Sequence, residues 1–506
     1  MKVVITTLNS KFSHSSLAIR YLEKYCAKFQ PDSVEFTIND NINTVYSRLL
    51  LKRADVYCFS CYIWNITLIC QIASMLKTTL PECVVVFGGP QAEEHHFVDY
   101  LILGEGEEGL FYLLSNLEKG ERPQKIIKKE VDISKVAPPY AKADIAKLKN
   151  KILYFETSRG CPFNCTYCLS SVDKTIKYFP PDYVYNGLFE LFDSGVPIVK
   201  LVDRTFNCNA ERAAEIMRFI IKNSKNTCVH LEIAPHLLND EQMELISSAP
   251  HLFKLEMGIQ STNPQTLKAV NRLFDLEKAA QNIKRLAKCG VKIHLDLIAG
   301  LPYENYASFG RSFDFVFSLQ PDMLQLGFLK VLKGTEMEKT EGIYYANHPP
   351  FEVLKTNWLD PFEICRLKNV ENAVDRYYNS GLFARTIKAL TSNASAFAMF
   401  EKLGRTLAAT EENGKVSRKG LYNLLFEFGG NDISYLLALD FLQNNRDIPL
   451  PPFIKKTPSS DYKARLRQFT KTHGISLRNA RIEPIFNKVV LADFAKGEVK
   501  EITDSF

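Results

Sequence analysis

The stretch Ser158-Arg159-Gly160-Cys161-Pro162-Phe163-Asn164-Cys165-Thr166-Tyr167-Cys168 decides the fold of the central part of this chain. Its cysteines have the spacing C-x-x-x-C-x-x-C and directly follow a strand-like apolar run at residues 152–155. Three thiolates on one short loop can hold a [4Fe–4S] cluster and leave its fourth iron without a protein ligand. Because an open iron can bind and reduce a small molecule, we predict a catalytic cluster at Cys161, Cys165 and Cys168.

Two other interpretations of this loop exist. Zinc is one, but a structural zinc needs four ligands, and no further cysteine or histidine follows the loop until Cys208. The other is a non-catalytic iron–sulfur protein that transfers electrons or senses redox state. The chain has 12 cysteines in 506 residues, too few for a secreted disulfide scaffold. We therefore expect a cytoplasmic protein whose clustered thiols bind metal.

Composition and net charge limit the kinds of function that the chain can have. A chain of 506 residues with 46% hydrophobic and 24% charged side chains is expected to fold as several globular domains. Its net charge of +6 does not favour a broad nucleic-acid-binding surface. Polar residues interrupt the apolar runs, and the first residues lack a signal-peptide pattern, so we predict no membrane association.

Apolar runs that alternate with helical patterns predict an α/β protein. The first series indicates a Rossmann-like, flavodoxin-like domain. The second contains six strand-like runs and indicates a partial (β/α)₆ barrel. A mainly helical region follows it, in which the pattern predicts, for example, a helix from Tyr422 to Phe441. The predicted boundaries are 1–125 for the first domain, 126–150 for a proline- and lysine-rich linker, 151–335 for the barrel and 336–506 for an α-rich carboxy-terminal domain.

The cysteine motif, with aromatic Tyr167 before its last cysteine, resembles the signature of the radical S-adenosylmethionine (SAM) enzymes. The resemblance implies that SAM chelates the open iron and is cleaved reductively to a 5′-deoxyadenosyl radical. Asp203, in Leu201-Val202-Asp203-Arg204-Thr205-Phe206, is implied to bind the methionine ammonium, although Arg204 departs from the D-D-T-F pattern. Gln260 and Ser261 are implied to bind the ribose or the methionine carboxylate. The residues predicted to bind SAM are Tyr167, Asp203, Glu232, Gln260, Ser261 and Ile298.

The first domain resembles the cobalamin-binding domain of one branch of that superfamily. Glycines in its strand-end loops let the backbone approach a macrocycle and its nucleotide tail. No D-x-H-x-x-G element is present, and the spacing around His14, the only histidine before His95, does not fit one. The resemblance therefore implies cobalamin without a protein histidine on cobalt. The residues predicted to bind cobalamin are Ser60, Cys61, Gly88, Gly89, Pro90, Gly104, Glu105, Gly106 and Glu107.

Together these features predict a cobalamin-dependent radical SAM enzyme. The resemblance implies that it methylates an unactivated carbon or phosphorus centre through methylcobalamin, with a reductant such as flavodoxin or ferredoxin. A tRNA methylthiotransferase is the alternative enzyme, since that family shares the barrel but binds a second cluster with three amino-terminal cysteines. Cys26, Cys58, Cys61, Cys70 and Cys83 offer enough thiols, but not in that family's pattern.

Overall fold

A computed structural model describes residues 1–148, 151–172, 175–392, 394–412 and 414–506 of the chain. The last two residues of the predicted linker, 149 and 150, lie outside the described residues. Within these ranges, no helix is long and apolar enough to cross a membrane. In chain order the strands are β1 (Val3–Asn9), β2 (Asp32–Thr37), β3 (Val56–Ser60), β4 (Val84–Gly88), β5 (Tyr100–Leu103), β6 (Ile126–Lys128), β7 (Leu153–Phe155), β8 (Ser158–Arg159), β9 (Lys177–Tyr178), β10 (Ile198–Leu201), β11 (Cys228–Glu232), β12 (Phe253–Gln260), β13 (Lys292–Ala299), β14 (Met323–Phe328), β15 (Ile343–Tyr345), β16 (Val353–Thr356), β17 (Ala480–Ile485), β18 (Lys488–Asp493) and β19 (Glu498–Glu501).

Helices alternate with the strands up to β14 and dominate the chain after β16. They are α1 (Leu17–Tyr25), α2 (Ile42–Leu50), α3 (Ile66–Thr79), α4 (Gly106–Glu118), α5 (Lys142–Lys147), α6 (Pro181–Asp193), α7 (Ala210–Asn223), α8 (Asp240–Ser248), α9 (Pro264–Ala269), α10 (Leu276–Lys288), α11 (Tyr306–Ser318), α12 (Pro361–Ala373), α13 (Ala384–Leu390), α14 (Ala396–Glu411), α15 (Arg418–Gly429), α16 (Ser434–Asn444) and α17 (Tyr462–Thr472).

The amino-terminal sheet is parallel, in the order β2-β1-β3-β4-β5-β6. This is the flavodoxin-like order with one strand added at the β6 edge. Val4 and Tyr57 pack on one face of the sheet, whereas Val3 and Ile5 pack on the other. Strands buried on both faces are typical of parallel sheets covered by helices, so the predicted Rossmann-like fold is confirmed. Strand β6 and helix α5 lie in the segment predicted as a linker.

The second parallel sheet has the order β14-β13-β12-β11-β10-β7. Each of the six strand-like runs of the sequence is one of these strands, which confirms the predicted partial barrel. The sheet is open between β7 and β14. The carboxyl ends of all six strands therefore meet at one rim, where α/β barrels carry their functional groups.

The carboxy-terminal region covers one edge of the open barrel. The side-chain amide of Asn379 donates to the Leu324 carbonyl of edge strand β14 at 2.8 Å and accepts from its N–H at 2.9 Å. Without this amide, two backbone groups of an edge strand would lack partners. Leu367, Phe400 and other residues of α12 to α16 belong to the same hydrophobic core as the barrel. This region is α-rich, as predicted.

One predicted helix of this region is wrong in detail. The sequence pattern indicated a single helix from Tyr422 to Phe441, but the structure has two helices, α15 and α16. Gly430 separates them with φ +64°, a backbone conformation that ends a helix. The tail is a three-stranded antiparallel sheet of β17, β18 and β19.

Candidate functional site

The three cysteines lie on the loop after β7 and β8, at the carboxyl rim of the barrel. Cys161 and Cys165 are buried, Cys168 is half-buried, and all three line one cavity of about 190 Å³. The loop begins at Gly160, whose φ is +91° and where a Cβ would lie 2.0 Å from the Thr175 carbonyl oxygen. Only glycine fits at that position. The structure therefore brings the predicted cluster ligands together.

Arg272 is a site residue that the sequence analysis missed. Its Nη1 lies 3.4 Å from Cys165 Sγ, and its Nη2 donates to the Gly258 carbonyl. The guanidinium places a positive charge beside Cys165, where it would offset the negative charge of iron-bound thiolates. Arg272 follows α9 and belongs to no recognised motif, so no local signal marked it.

Tyr167, Glu232 and Gln260 are predicted SAM-binding residues that line the cysteine cavity. Gln260 ends β12 in a left-handed conformation, with φ +70°. The Gln260 Oε1 and the Tyr167 hydroxyl are buried without a hydrogen-bond partner among the described residues. A buried polar atom without a partner costs about 1–3 kcal/mol. These two atoms, beside the three thiols, fit a polar ligand such as SAM.

Asp203 is placed differently from the sequence expectation, because it does not line this cavity. Its carboxylate accepts hydrogen bonds from the Thr157 N–H at 2.9 Å, the Thr157 hydroxyl at 2.6 Å and the Ser158 hydroxyl at 2.6 Å. Burial raises the pKa of Asp203, and the hydrogen bonds from Ser158 and Thr157 oppose that rise. The Asp203 carboxylate therefore connects residues 157–158, which precede the cysteine loop, to the end of β10.

Ser261 and Ile298 also lie outside the lining of the cavity. The Ser261 hydroxyl is fully buried and donates to the Glu304 carboxylate. Ile298 lies opposite Gly327 of β14 and packs against the main hydrophobic core. The side chains of Ser261 and Ile298 therefore contact other parts of the protein and not the cavity.

A layer of charged and imidazole side chains crosses β10 to β13 beside the cavity. Lys200 Nζ lies 2.8 Å from Glu256 Oε2 and 3.3 Å from Glu232 Oε1. Burial alone would raise the pKa of Glu256, but His230 and Lys200 outweigh it and hold that pKa well below its usual value. Burial lowers the pKa of His230 and raises the pKa of Glu232. Of this layer, the sequence analysis had predicted only Glu232 as a site residue.

A second cavity, of about 210 Å³, opens among the strand-end loops of the amino-terminal sheet. Gly89, with φ +101°, turns so close to β3 that a Cβ would lie 2.7 Å from the Cys61 carbonyl oxygen. Ile5, Val86 and Ile102 make its walls apolar. A narrow apolar slot edged by backbone fits the flat nucleotide base of a cobalamin tail. The predicted cobalamin-binding residues that line it are Ser60, Gly88, Gly89, Pro90, Gly104, Gly106 and Glu107.

A third cavity, of about 550 Å³, lies between the amino-terminal sheet and the barrel. Tyr62 and Glu105 line it from the first sheet, and Tyr154, Arg159 and Arg204 line it from the barrel. Arg204 also lines the cysteine cavity, so the two cavities adjoin at this side chain. Arg204 thus borders the cysteine cavity and the interdomain cavity, and the interdomain cavity shares Tyr62 and Glu107 with the second cavity.

Arg159 joins the two domains at this cavity. It forms ion pairs with Glu105 at 2.9 Å, Glu107 at 2.6 Å and Glu156 at 2.7 Å, and Lys177 adds a second contact to Glu105 at 2.7 Å. Burial would lower the pKa of Arg159, but Glu156 and Glu107 outweigh it and raise that pKa. Burial raises the pKa of Glu156 to about 7, against the attraction of Arg159. Two predicted cobalamin-binding residues, Glu105 and Glu107, are thus paired across the domain boundary.

Cys61 and His14 are both bonded to other groups of the protein. Cys61 is fully buried and lines neither of these two cavities, and its backbone N–H donates to the Gly88 carbonyl at 2.7 Å. His14 lines the interdomain cavity, and its Nδ1 lies 2.9 Å from the Tyr154 hydroxyl. Ser16, not His14, caps α1. The absence of a protein histidine on cobalt stays a prediction.

Comparison with family models identifies the domains. Residues 155–316 match the model of the radical SAM superfamily, and residues 3–113 match that of the B12 binding domain. Residues 340–500 match a third model, described as "Protein of unknown function (DUF4080)". The chain therefore contains a radical SAM domain followed, towards the carboxyl end, by a region of unassigned role, and a B12-binding domain precedes both. The predicted cofactor classes, a [4Fe–4S] cluster with SAM and cobalamin, agree with the first two models.

Individual relatives are similar to parts of the chain. The cobalamin-dependent radical SAM methyltransferase TokK of Streptomyces tokunonensis is 26% identical in an alignment 303 residues long that covers 51% of this chain and 44% of TokK. The match thus spans less than half the length of that relative. Two solved structures share the fold. OxsB, a cobalamin-dependent SAM radical enzyme, gives a TM-score of 0.62 at 15% identity over 94% of this chain and 84% of OxsB. TsrM, a radical SAM methyltransferase from Kitasatospora setae, gives 0.59 at 13% identity over 94% of this chain and 100% of TsrM.

Proposed function

We propose that this chain is a cobalamin-dependent radical SAM enzyme that methylates an unactivated carbon or phosphorus centre. The observation that carries the proposal is the junction at Arg204, which borders both the cysteine cavity and the interdomain cavity. A substrate bound at that junction would lie beside both cofactors. When bound, the cluster and SAM supply a hydrogen-abstracting radical, and cobalamin supplies a methyl group.

Different residues of this chain would hold each cofactor. Cys161, Cys165 and Cys168 would hold the cluster, with Arg272 offsetting the charge of their thiolates. Tyr167, Glu232 and Gln260 would orient SAM. The strand-end loops with Ser60, Gly88, Gly89 and Gly104 would hold the nucleotide tail of cobalamin. Asp203, Ser261 and Cys61 would act as supports behind these surfaces, because their polar atoms are bonded to the protein.

We infer that the region after the barrel, which is bonded to the cysteine loop, shields the site from water. The Met337 N–H donates to the Thr166 carbonyl of the cysteine loop at 2.9 Å, so this segment is fastened to the cluster site. Exclusion of water protects a reactive radical. We propose the boundaries 1–125, 126–150, 151–335 and 336–506 for the cofactor domain, the connector, the barrel and this closing region.

The proposal also specifies a setting and a partner. Thiolate-bound clusters need a reducing compartment, so we place the enzyme in the cytoplasm. Reductive cleavage of SAM consumes one electron, and a flavodoxin or a ferredoxin would deliver it. The half-buried Cys168 is the most exposed of the three cysteines that would hold the cluster.

The structure disfavours a second cluster of the methylthiotransferase kind. Cys26 and Cys58 lie in the core on one face of the first sheet, whereas Cys61 and Cys83 lie in the core on the other face. Cys83 precedes β4 and Cys61 follows β3, so about six residues of strand, roughly 20 Å, separate their levels. These thiols do not converge on one site.

Counting irons and corrinoid in the anaerobically purified chain separates the two enzymes. The proposal expects about four irons and one corrinoid per chain. A value of about eight irons without corrinoid supports the methylthiotransferase. Incubation with SAM that carries a deuterated methyl group then tests methylation, because a labelled product must appear together with 5′-deoxyadenosine. If 5′-deoxyadenosine accumulates and no labelled product forms from any substrate fraction supplied, the methylation assignment is wrong.

A further inference from the structure

Two histidines and one glutamate converge inside the barrel, on three neighbouring strands. His230 lies on β11, Glu256 on β12 and His294 on β13, and Glu256 is the direct register partner of His294. One ligand atom from each residue lies within 4.8 Å of the others. His230 Nε2 is 3.0 Å, and His294 Nδ1 is 3.8 Å, from the same Glu256 oxygen.

Three of the four imidazole nitrogens of this group are buried without hydrogen bonds. His230 is 9% exposed and His294 is 5% exposed. Within the described part of the chain, His230 Nε2 and both ring nitrogens of His294 have no hydrogen-bond partner. The short distances to Glu256 therefore lack hydrogen-bond geometry. A metal ion bound to His230 Nε2 and His294 Nδ1 would give two of these nitrogens a partner.

We propose that His230, Glu256 and His294 bind one divalent first-row transition ion, separate from the iron–sulfur cluster. Two imidazoles and one carboxylate form a donor set that suits such ions, zinc among them. Asp296 Oδ1 lies 3.0 Å from His294 Nε2, on the far side of the ring from Nδ1. Metal-bound histidines commonly keep a carboxylate at that second nitrogen.

The position of the ion gives it access to substrate. Glu256 and Asp296 line the same cavity as the three cysteines. Three protein ligands leave at least one coordination position open, and that position would face this cavity. An ion there could hold an oxygen or nitrogen atom of a bound molecule. The assignment rests on the donor set alone and does not depend on the proposed methylation.

Lys200 is the group that competes with the ion. Its ammonium lies 2.8 Å from Glu256 Oε2, and a cation at Glu256 would repel it. Glu232, 3.3 Å from the same ammonium, offers Lys200 an alternative partner. Removal of the Lys200 charge should therefore strengthen metal binding, whereas removal of either histidine should weaken it.

Zinc binding to the cluster-loaded full chain tests the proposal. Zn²⁺ is titrated against a competing chelator, and zinc K-edge absorption identifies its ligands without interference from iron or cobalt. We expect one zinc per chain with nitrogen and oxygen ligands at about 2.0–2.1 Å. His230→Gln and His294→Gln should each weaken binding by at least about tenfold, since even second-shell changes cost about 10–100-fold. The matched control His251→Gln changes an exposed histidine and should leave the affinity unaltered.

Three results would overturn the assignment. One is a sulfur shell around zinc, which would place the ion on free thiols. Another is an affinity that both histidine variants leave unchanged. The third is an unchanged or lower zinc affinity in Lys200→Met, because a site at Glu256 requires the affinity of this variant to rise several-fold. This test does not depend on whether the histidine variants fold.

Discussion

Replacement of Asp203 by alanine tests the role that the structure gives this buried carboxylate. Three hydrogen bonds from Thr157 and Ser158, at 2.6–2.9 Å, end on it. Hydrogen bonds to charged groups contribute about 1.5–3 kcal/mol each, and their effects on one residue overlap. Because Asp203→Ala leaves one N–H and two buried hydroxyls without their acceptor, we expect it to lower the free energy of unfolding by about 3–5 kcal/mol. At about 2–4 °C per kcal/mol, the thermal midpoint should fall by roughly 10 °C.

The same variant should lose iron, because Thr157 and Ser158 directly precede the cysteine loop. Anaerobic scanning calorimetry, iron analysis and equilibrium dialysis of SAM measure the three effects. Asp203→Asn keeps the shape and one acceptor oxygen, so it should lose about half as much stability. Asp447→Ala, which removes a side chain that is 90% exposed, is the control and should change neither midpoint nor iron content. An unchanged midpoint with weakened SAM binding in Asp203→Ala would refute this reasoning and support direct binding of the methionine ammonium.

Three further predictions concern the cofactor domain and its boundary. Arg159→Met leaves three carboxylates without their shared partner, so stability should fall by about 3 kcal/mol and corrinoid should be lost during gel filtration. Gly89→Ala places a Cβ 2.7 Å from the Cys61 carbonyl oxygen, so corrinoid content should fall severalfold at unchanged iron content. Glu156, whose pKa burial raises from 4.5 to about 7, keeps its proton longer in the folded than in the unfolded chain. It therefore destabilises the fold as pH rises from about 4.5 to 7, and Glu156→Gln should gain up to about 3 kcal/mol relative to wild type across that window.

Each of these predictions has its own control. For Arg159→Met it is Lys142→Met, which breaks an exposed ion pair with Asp193 and should have little effect. For Gly89→Ala it is Gly120→Ala, at φ +78° with no atom within 4 Å of the added Cβ and away from the cavity. Retention of corrinoid by Gly89→Ala would show that this turn does not shape the site. A constant difference in midpoint between Glu156→Gln and wild type from pH 4.5 to 7.5 would contradict the raised pKa.

The architecture could be predicted because strand and helix patterns are local. The barrel strands are short apolar runs, and the cysteine loop follows the first of them at fixed spacing. The helix predicted across Gly430 failed because an apolar pattern continues through a glycine that the backbone uses as a break. The core that the barrel shares with the carboxy-terminal region depends on contacts between distant segments, which no local pattern contains.

A site residue could be predicted only where a motif fixes both its position in the fold and the direction of its side chain. The loop spacing places the three thiols together, but the position of Asp203 at a strand end does not say which donors its carboxylate meets. Arg272 approaches Cys165 from 107 residues away, outside any motif. His230, Glu256 and His294 converge only through the strand register, which sequence spacing does not reveal.

Product analysis of the reduced, corrinoid-loaded chain with SAM tests the central claim most directly. The claim is that one chain cleaves SAM at a cluster held by Cys161, Cys165 and Cys168 and also transfers the methyl group of SAM to cobalamin. The account predicts 5′-deoxyadenosine together with about one S-adenosylhomocysteine per bound corrinoid in a single turnover. Cys168→Ala should abolish the 5′-deoxyadenosine. Formation of 5′-deoxyadenosine by the wild-type chain without any S-adenosylhomocysteine would contradict the account.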